Sequence, residues 1–393
     1  MKRAKKKQTP EVELLKKLPI DVSAFNIMIE NDYLYVDKTE IIHDLITGGR
    51  FYFLSRPRRF GKSLFLSTLQ ELFEGNQKLF KDLWIGKAKR YDWPIYPVIY
   101  LNFSDLDIAT SQELIASLSW RLDSIAKNNE IDVTDAPSPG LKMQKLVHEL
   151  FKKNSVVVLI DEYDYPLINK LKNVKIAEEN REVLKNFFSV IKSLDKYLRA
   201  IYLTGVTKFS KTSLFSGLNN LNDLTTDPRA ATLLGYTQKE IDSYFAPYIK
   251  KQAAHEDLDE NAIKQEMKSW YNGYRFSRKN IKVYNPYSVL YYLEKKELDN
   301  YWFESGTPGF LIELLKTQYK DLENIEEAQL TTRSLGTFDI ESLPLITILF
   351  QTGYLTINTY DRITKKYTLT YPNEEVRESY KQYLLCEERS PSN

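Results

Sequence analysis

Cysteine is almost absent from this sequence: Cys386 is the only one among 393 residues. No internal disulfide can form, as is usual for a chain in a reducing compartment. Histidine is also scarce, and His43, His148 and His255 are scattered along the chain. Because no His/Cys cluster exists, a zinc site is not expected.

Long apolar runs are missing as well. The first residues lack the apolar stretch of a signal peptide, and no segment approaches the ~18 apolar residues of a membrane span. We therefore expect a cytoplasmic protein that has no membrane partner.

An excess of charge of one sign is the third absence, because the formal net charge is only +2. This near-neutral balance gives little general support for nucleic-acid binding. The exception is local, since residues 2–7 include five lysines and arginines. We interpret residues 1–18 as a solvated basic tail, with a nucleic-acid contact as the alternative.

Strand and helix patterns alternate over about residues 30–230. Strands that alternate with helices indicate an α/β fold in which a parallel sheet has helices on both faces. The strands are predicted at 51–54, 98–103, 156–160 and 199–205, and helices at 111–127, 141–152 and 178–195.

The second half of the chain has a different pattern. Helical spacing dominates residues 237–300. A helix near 341–351, a hairpin of strands and a final helix after Pro372 are typical of a winged-helix module. The predicted order is an α/β core at 19–236, a helical region at 237–300, a winged-helix-like region at 301–385 and a polar tail at 386–393.

The junction between the first predicted strand and the next helix has the pattern of a phosphate-binding loop. Residues 56–63 match the last three positions of G-x-x-x-x-G-K-[ST], whereas Arg56 replaces the first glycine. Amides at a helix start and the helix dipole attract phosphate, and Gly61 permits close approach. Lys62 would neutralise the β- and γ-phosphates, and Ser63 would ligate Mg²⁺. A plain basic loop is the alternative.

Two acids follow the most apolar predicted strand. Asp161 is expected to hold Mg²⁺ and Glu162 to act as general base on the attacking water. Helix-capping acids on a solvated loop are the alternative. The next strand ends near Thr204 and Thr207, which either orient the water or close a turn. Asp164 is interpreted as a loop acid rather than a ligand.

The other nucleotide contacts follow from position alone. Arg229 is a candidate sensor or finger, with a surface arginine as the alternative, and Arg58 and Arg59 either screen phosphate or face solvent. The strand at 98–103 lies between the P-loop strand and the acidic strand, which suggests NTPases in which an extra strand separates the two motifs. Candidates for nucleotide contact are Arg56, Pro57, Arg58, Arg59, Phe60, Gly61, Lys62, Ser63, Leu64 and Arg229.

A series of motifs in order makes the chain similar to a known family. They are YVDKT at 35–39, RPRRFGKS at 56–63, LIDEYD at 159–164, LTGVTK at 203–208, SLFSGLNN at 213–220, WYNGY at 270–274, VYNPYS at 283–288 and YPNEEV at 371–376. The chain resembles the bacterial AAA-ATPase-like proteins over about residues 19–385, and in that family an arginine opens the phosphate loop. The resemblance implies an ATPase core, a helical lid and a winged-helix-like region. It also makes Asp37, Lys38 and Thr39 candidates for the base or ribose edge.

Many members of that family end in a PD-(D/E)XK nuclease domain, which needs on the order of 100 residues. Too few residues follow the motif at 371–376 to form one, so nuclease activity is not expected. No Asn-Lys-x-Asp segment reads guanine, which favours ATP over GTP. The main hypothesis is an ATP- and Mg²⁺-dependent switch. The alternatives are a non-catalytic nucleotide- or DNA-binding adaptor and a binding partner of another chain, homo-oligomers included.

Overall fold

The computed structural model describes residues 15–209, 220–306, 311, 328–331, 334–335 and 344–388. Most of the predicted basic tail at 1–18 and the end of the predicted polar tail at 386–393 lie outside these residues. So does nearly all of the motif at 213–220.

A five-stranded parallel sheet forms the centre of the first half of the chain. Its strands are β1 Phe51–Ser55, β2 Val98–Asn102, β3 Val156–Asp161, β4 Leu198–Gly205 and β5 Asn222–Asp223. They lie in the order β2, β3, β4, β1, β5, and every neighbouring pair is parallel. All residues of β1 and β3 are buried, as strands covered on both faces require. The predicted α/β class and its parallel sheet are confirmed.

Successive side chains of the strands point to opposite faces, and each face has its own helices. Tyr52 and Leu54 pack with the helices on one face, whereas Phe51 and Phe53 pack with those on the other. The first face carries α1 Phe25–Glu30, α2 Thr39–Gly48, α3 Lys62–Phe73 and α4 Trp84–Ala88. The second carries α5 Ser111–Asn128, α6 Pro139–Phe151, α7 Tyr165–Ile168 and α8 Val174–Ser193.

The strand that separates β1 from β3 in space is β4. It pairs with β1 on one side and with β3 on the other, while β2 pairs only with β3 among the described strands. The strand predicted at 98–103 therefore precedes β3 along the chain without lying beside β1. The expected one-strand separation of the two motifs is present, and β4 supplies it.

Four helices follow the sheet and share a core with the start of the chain. They are α9 Gln238–Tyr244, α10 Ala246–Glu256, α11 Glu260–Tyr271 and α12 Pro286–Lys295. Ile241, Phe245, Ile263 and Met267 are buried between them, and Val36 belongs to the same cluster. Residues ahead of the sheet therefore pack with helices more than 200 residues later. The predicted dominance of helices over 237–300 is confirmed.

The C-terminal part combines helices with a small antiparallel sheet. Its strands are Gln329–Thr331 (β6), Thr356–Tyr360 (β7) and Lys366–Thr370 (β8), and they lie in the order β6, β8, β7 with both pairs antiparallel. The predicted hairpin is present, and the last helix extends into the segment predicted as polar tail. The elements are α13 Tyr301–Gly306, β6 Gln329–Thr331, α14 Leu345–Thr352, β7 Thr356–Tyr360, β8 Lys366–Thr370 and α15 Glu374–Glu388. Within the described ranges no helix has both the length and the apolar composition needed to cross a membrane.

A buried carboxyl joins two of these C-terminal helices, α13 and α15, to α12. Glu375, in the first turn of α15, is fully buried and accepts hydrogen bonds from the Ser288 hydroxyl at 2.8 and 2.9 Å and from the Trp302 amide at 2.7 Å. Burial raises the pKa of Glu375 from 4.5 to about 8, against these hydrogen bonds and with a small contribution from the negative charge of Asp299.

This carboxyl is expected to make the stability of the protein depend on pH. Its pKa in the folded state lies above the unfolded value, so folding favours the protonated form. Its stabilising contribution is complete below about pH 4.5 and is lost as pH rises towards 8. Glu375→Gln keeps an acceptor and carries no charge. We expect its melting temperature to equal that of the wild type near pH 5 and to exceed it by several degrees near pH 8.5, measured by circular dichroism.

The control is Glu374→Gln at the neighbouring position. Glu374 is partly exposed and its carboxylate is 3.9 Å from Arg377, so its removal changes the same formal charge without a burial effect. Melting curves of wild type and Glu375→Gln that stay parallel between pH 5 and 8.5 would contradict the assignment.

Candidate functional site

The loop between β1 and α3 passes through a left-handed glycine directly before the helix. Gly61, the residue before α3, has φ +87°, a conformation that favours glycine. A Cβ built on Gly61 would meet no atom within 4 Å, so the loop backbone borders open space. The first amides of α3 begin there, and helix starts attract anions.

Lys62 is a buried cation whose hydrogen-bonding capacity is mostly unused. Its side chain is nearly buried, and its only hydrogen bond within the described residues goes from Nζ to the Pro57 carbonyl at 3.0 Å. Burial lowers the pKa of Lys62, while the nearby charges of Glu162, Asp161 and Asp164 oppose this effect. An ammonium has three donors. Two remain available for a ligand, and an anion would relieve the cost of burial.

Asp161 ends β3 as a buried carboxylate held from two sides. Its Oδ1 accepts from the Thr204 hydroxyl at 2.5 Å and from the Glu162 amide at 3.0 Å, and Tyr100 donates to Oδ2 at 3.4 Å. Thr204 and Tyr100 belong to the strands on either side of β3. The orientation of the carboxylate is therefore set by the sheet itself.

Glu162 follows Asp161 and faces the same cleft as Lys62. It has φ +49°, which is rare for a residue with a side chain and is common at functional sites. Burial raises the pKa of Glu162, and the charge of Lys62 partly counteracts this shift. Its carboxylate makes no hydrogen bond to any residue that the structure describes, so it remains available to a water molecule.

Asp164, interpreted as a loop acid rather than a ligand, lies between β3 and α7 and is buried instead of solvated. It is fully buried, and its Oδ2 accepts from the Thr207 amide at 2.7 Å, the Thr207 hydroxyl at 2.6 Å and the Val206 amide at 3.1 Å. Burial raises the pKa of Asp164, which these donors oppose. Asp164 thus fixes the chain just after β4.

The two threonines after β4 were expected to orient water or close a turn. Both are fully buried, and each donates its hydroxyl proton to an acid: Thr204 to Asp161 and Thr207 to Asp164. In this structure they position carboxylates, and neither lines the cleft. Sequence reasoning missed this pairing because it depends on which strands are neighbours.

Arg56 does not reach the phosphate site, contrary to its place among the nucleotide contacts. It is buried, and its Nη atoms donate to the carbonyls of Ser55, Thr225 and Ala230 at 2.7–3.1 Å. Its guanidinium lies 4.1 Å from the Phe276 ring, and burial lowers its pKa to about 9. Arg56 therefore anchors the first residue of the loop 56–63 to the segment 225–230. Phe60, also a candidate contact, packs against the Tyr274 and Phe276 rings instead.

Asp37, Lys38 and Thr39 are likewise occupied by the protein. Asp37 accepts from the backbone amide and hydroxyl of Thr39 and from the Trp84 amide at 2.6 Å. Lys38 forms a largely buried ion pair with Glu240 at 2.6 Å. These contacts join α2, α4 and α9. The three side chains are therefore occupied by the protein and do not support the predicted contact with a base or ribose.

Arg229 is also engaged elsewhere. Its guanidinium makes a two-pronged contact with Asp227, at 2.7–3.1 Å, on an exposed surface. It does not line the cleft, so the sensor or finger interpretation finds no support in this structure and the surface arginine fits better.

A cleft of about 420 Å³ lies over the loop. Its floor is formed by the loop 56–63 and the start of α3. Its walls are formed mainly by residues 19–23 and by α12. This volume falls in the usual range of small-molecule sites. From the loop side it is lined by Arg58, Arg59, Gly61, Lys62, Ser63, Leu64 and Glu162, and from the walls by Pro19, Ile20, Asp21, Val22, Ser23, Met28, Tyr236, Pro286, Tyr287, Leu290 and Tyr291.

The walls of the cleft are tied to the loop by a polar cluster. Arg59, itself at φ +66°, lies 3.3 Å from the Asp21 carboxylate and 4.9 Å from the Tyr287 ring. Tyr291 donates its hydroxyl to the other oxygen of Asp21 at 3.0 Å. The sequence analysis missed these wall residues. The motif at 283–288 was a signal, but only the tertiary structure places α12 over the loop.

The C-terminal part also contacts the loop. Trp302 donates its indole N–H to the Arg58 carbonyl at 3.1 Å, and the Pro57 ring lies where a Cβ on Gly353 would clash. The Gln351 side chain accepts from the Lys208 amide at 2.9 Å. The loop, which borders the cleft, therefore contacts α13 and the end of α14, and the segment just after β4 contacts α14.

The residues present fit a magnesium-bound nucleotide. The Ser63 hydroxyl makes no hydrogen bond within the described residues. Asp161 lies at the end of β3, which β4 separates from β1 in the sheet. No cluster of three His, Cys, Asp or Glu side chains in the described segments could enclose a metal ion. Mg²⁺ keeps most of its waters and needs only one or two protein oxygens beside the phosphates, so two such ligands are sufficient.

Comparison with known proteins gives two matches. A family model described as predicted AAA-ATPase, of AAA-ATPase-like type, matches residues 19–215. A curated relative from Azotobacter chroococcum mcd 1, described as an uncharacterized protein in the vnfD 5′ region, is 41% identical over 376 residues. That alignment covers 94% of this chain and 70% of the relative.

Proposed function

Because this chain belongs to the AAA-ATPase-like family, we propose that it is a Mg²⁺-dependent ATPase whose nucleotide site is the cleft over the loop 56–63. The observation that carries the proposal is Lys62. Among the described residues its buried ammonium has one acceptor, and the Glu162 carboxylate, which shares the cleft, has no donor.

The triphosphate would lie against the start of α3. The amides after Gly61 would donate to phosphate oxygens, and Lys62 would contribute the charge nearest to the β- and γ-phosphates. Arg58 lines the cleft and makes no side-chain hydrogen bond within the described residues, so its guanidinium is available as a second cation. Of the sequence candidates, Arg56 and Phe60 would act only by supporting this loop.

Ser63 and Asp161 would hold the metal ion, Asp161 through water. Bound Mg²⁺ would neutralise charge that develops on the phosphate oxygens. Thr204 and Tyr100 are positioning residues, because their hydroxyls orient the Asp161 carboxylate.

Glu162 would act as the general base. As a water oxygen bonds to the γ-phosphorus, Glu162 takes the proton that this water loses. The bond between the γ-phosphorus and the β,γ-bridging oxygen breaks, and its electron pair leaves with ADP. Lys62 stabilises the charge on the phosphate oxygens during this exchange.

The base would bind between the segment 19–22 and α12. This wall presents apolar groups, among them Pro19, Ile20, Tyr236 and Leu290. A smaller apolar pocket of about 70 Å³ continues from it, lined in part by Tyr35 and Leu233. ATP is the proposed nucleotide, since the sequence has no guanine-reading segment.

Nucleotide binding would be transmitted to the C-terminal part, as in a switch. The contacts of Trp302 with Arg58 and of Gln351 with Lys208 join that part to the loop that borders the cleft and to the segment just after β4. We further propose the domain limits 19–236, 237–300 and 301–385. The succession of α14, the β7–β8 hairpin and α15 supports a winged-helix-like module in the last of them.

Isothermal titration of the full chain with ATP and with GTP, each with and without Mg²⁺, tests the proposal. In the presence of Mg²⁺, we expect ATP to bind about tenfold more tightly than GTP, or better. This factor corresponds to a difference of about 1.4 kcal/mol in binding free energy. Phosphate release should follow in the same samples. Equal affinity for both nucleotides would refute the base assignment. Tight binding without phosphate release would favour the non-catalytic adaptor.

A further inference from the structure

A second charged surface lies outside the nucleotide cleft. The loop 277–282 carries three cations and no acid, and the turn of the β7–β8 hairpin carries three more. All six side chains are exposed, and none forms an ion pair within the part of the chain that the structure describes. We call this set the basic face: Arg278, Lys279, Lys282, Arg362, Lys365 and Lys366.

Both segments line one open depression. Arg278, Lys279 and Asn280 border it from the loop, and Tyr360 and Arg362 border it from the hairpin, around about 710 Å³. Like charges that lie together without counterions raise the electrostatic energy of the folded protein. A polyanion would relieve this repulsion.

A buried arginine holds the two segments together. Arg275 donates to the carbonyls of Ser277 and Lys279 at 3.0 Å, of Arg278 at 2.7 Å and, across to β7, of Asn358 at 2.6 Å. Its own amide donates to the Thr356 hydroxyl at 2.7 Å. Because these carbonyls turn inward to Arg275, the loop is fixed against β7 with its cations outward.

The nearby acids are already engaged. The Asp361 carboxylate accepts from the Ile363 and Thr364 amides and from the Thr364 hydroxyl at 2.8 Å, and these contacts lower the pKa of Asp361. Asp227, which feels the charge of Arg278, is paired with Arg229. Asp361 is ionised, but the six cations outnumber it, so the face has a net positive charge.

The hairpin has the shape and tip of a groove-binding element. Ile363, at its turn, is 92% exposed, between Arg362 and Lys365 in the turn. A two-stranded ribbon enters the major groove of B-DNA, whereas the major groove of an RNA duplex is too narrow for side chains to read. Apolar tips also serve as contacts to exposed base steps.

We propose that the basic face binds duplex DNA, with the cations on its phosphates and the hairpin turn 361–366 in a groove. This binding site is separate from the nucleotide cleft. It is joined to the cleft through the segment 274–276, in which Tyr274 and Phe276 pack against Phe60.

The test is the affinity of the full chain for a fluorescent 30-base-pair duplex, measured by anisotropy between 50 and 200 mM salt. In the double variant Lys279→Glu and Arg362→Glu, we expect at least a tenfold loss at 50 mM salt. The slope of log affinity against log salt should fall by about 2, roughly one for each lost phosphate contact.

The matched control is Lys87→Glu with Lys153→Glu, two exposed lysines without ion pairs in the described structure. It changes the net charge equally and should lose much less affinity. The proposal is overturned if both double variants lose affinity alike, if the wild type binds no duplex at 50 mM salt, or if it prefers duplex RNA or single strands. ATP turnover of the Lys279→Glu, Arg362→Glu variant should match the wild type, so that failure here is separable from failure of the ATPase proposal.

Discussion

Lys62→Ala is expected to lower ATP turnover at least ~100-fold and to weaken ATP binding, because removal of one such charge typically has this effect on the transition state. Of the described residues that line the cleft, Lys62 alone is both cationic and buried. Phosphate release and isothermal titration measure the two losses separately.

The stability of a second variant, Lys62→Met, distinguishes a binding role of Lys62 from a structural one. Burial lowers the pKa of Lys62, which means that the folded protein tolerates its charge at a cost. Lys62→Met keeps the apolar stem and removes the charge, so we expect its melting temperature to equal or exceed that of the wild type. Lys87→Ala, on an exposed lysine, is the control for charge. A Lys62→Met protein that hydrolyses ATP at the wild-type rate would exclude the phosphate role.

Glu162→Gln is expected to reduce hydrolysis by roughly 10²–10⁴ while ATP still binds. The amide keeps the shape of the side chain and cannot accept the proton of the attacking water. Because burial raises the pKa of Glu162, wild-type activity should fall as pH decreases through a value above 4.5, since only the carboxylate is a base. The residual activity of Glu162→Gln should lack this dependence. Single-turnover phosphate release across pH measures both effects.

Glu74→Gln provides the control for that experiment. Burial also raises the pKa of Glu74, which lies at the opposite end of α3 and accepts from Gln70 at 2.9 Å. Its removal should leave the pH profile unchanged. If Glu162→Gln loses ATP affinity as well as turnover, the residue contributes to binding and another group must accept the proton.

The sequence predicted the strands and helices of the sheet well because their apolar patterns are local. Short continuous apolar runs such as 156–160 are typical of strands covered on both faces, and these residues are all buried. The loop 56–63 was also recognisable, since the glycine, the lysine and the strand-to-helix junction lie within a few residues.

The roles of polar side chains were predicted less well. Arg56 was assigned to phosphate, yet it binds carbonyls of residues 225 and 230. Lys38 was assigned to the nucleotide, yet it pairs with Glu240, some 200 residues away. A long charged side chain pairs with a group that the fold places within hydrogen-bonding distance. A single sequence does not show which distant residues become neighbours.

By itself, the sequence determined the α/β sheet, the phosphate-type loop and the acids that end β3, because each depends on neighbours in the chain. Only the tertiary structure decided that β4 separates the two motifs, that Thr204 orients Asp161, and that α12 covers the loop. The physical reason is that hydrogen bonds and burial act through space. They select partners only after the apolar faces of strands and helices have packed.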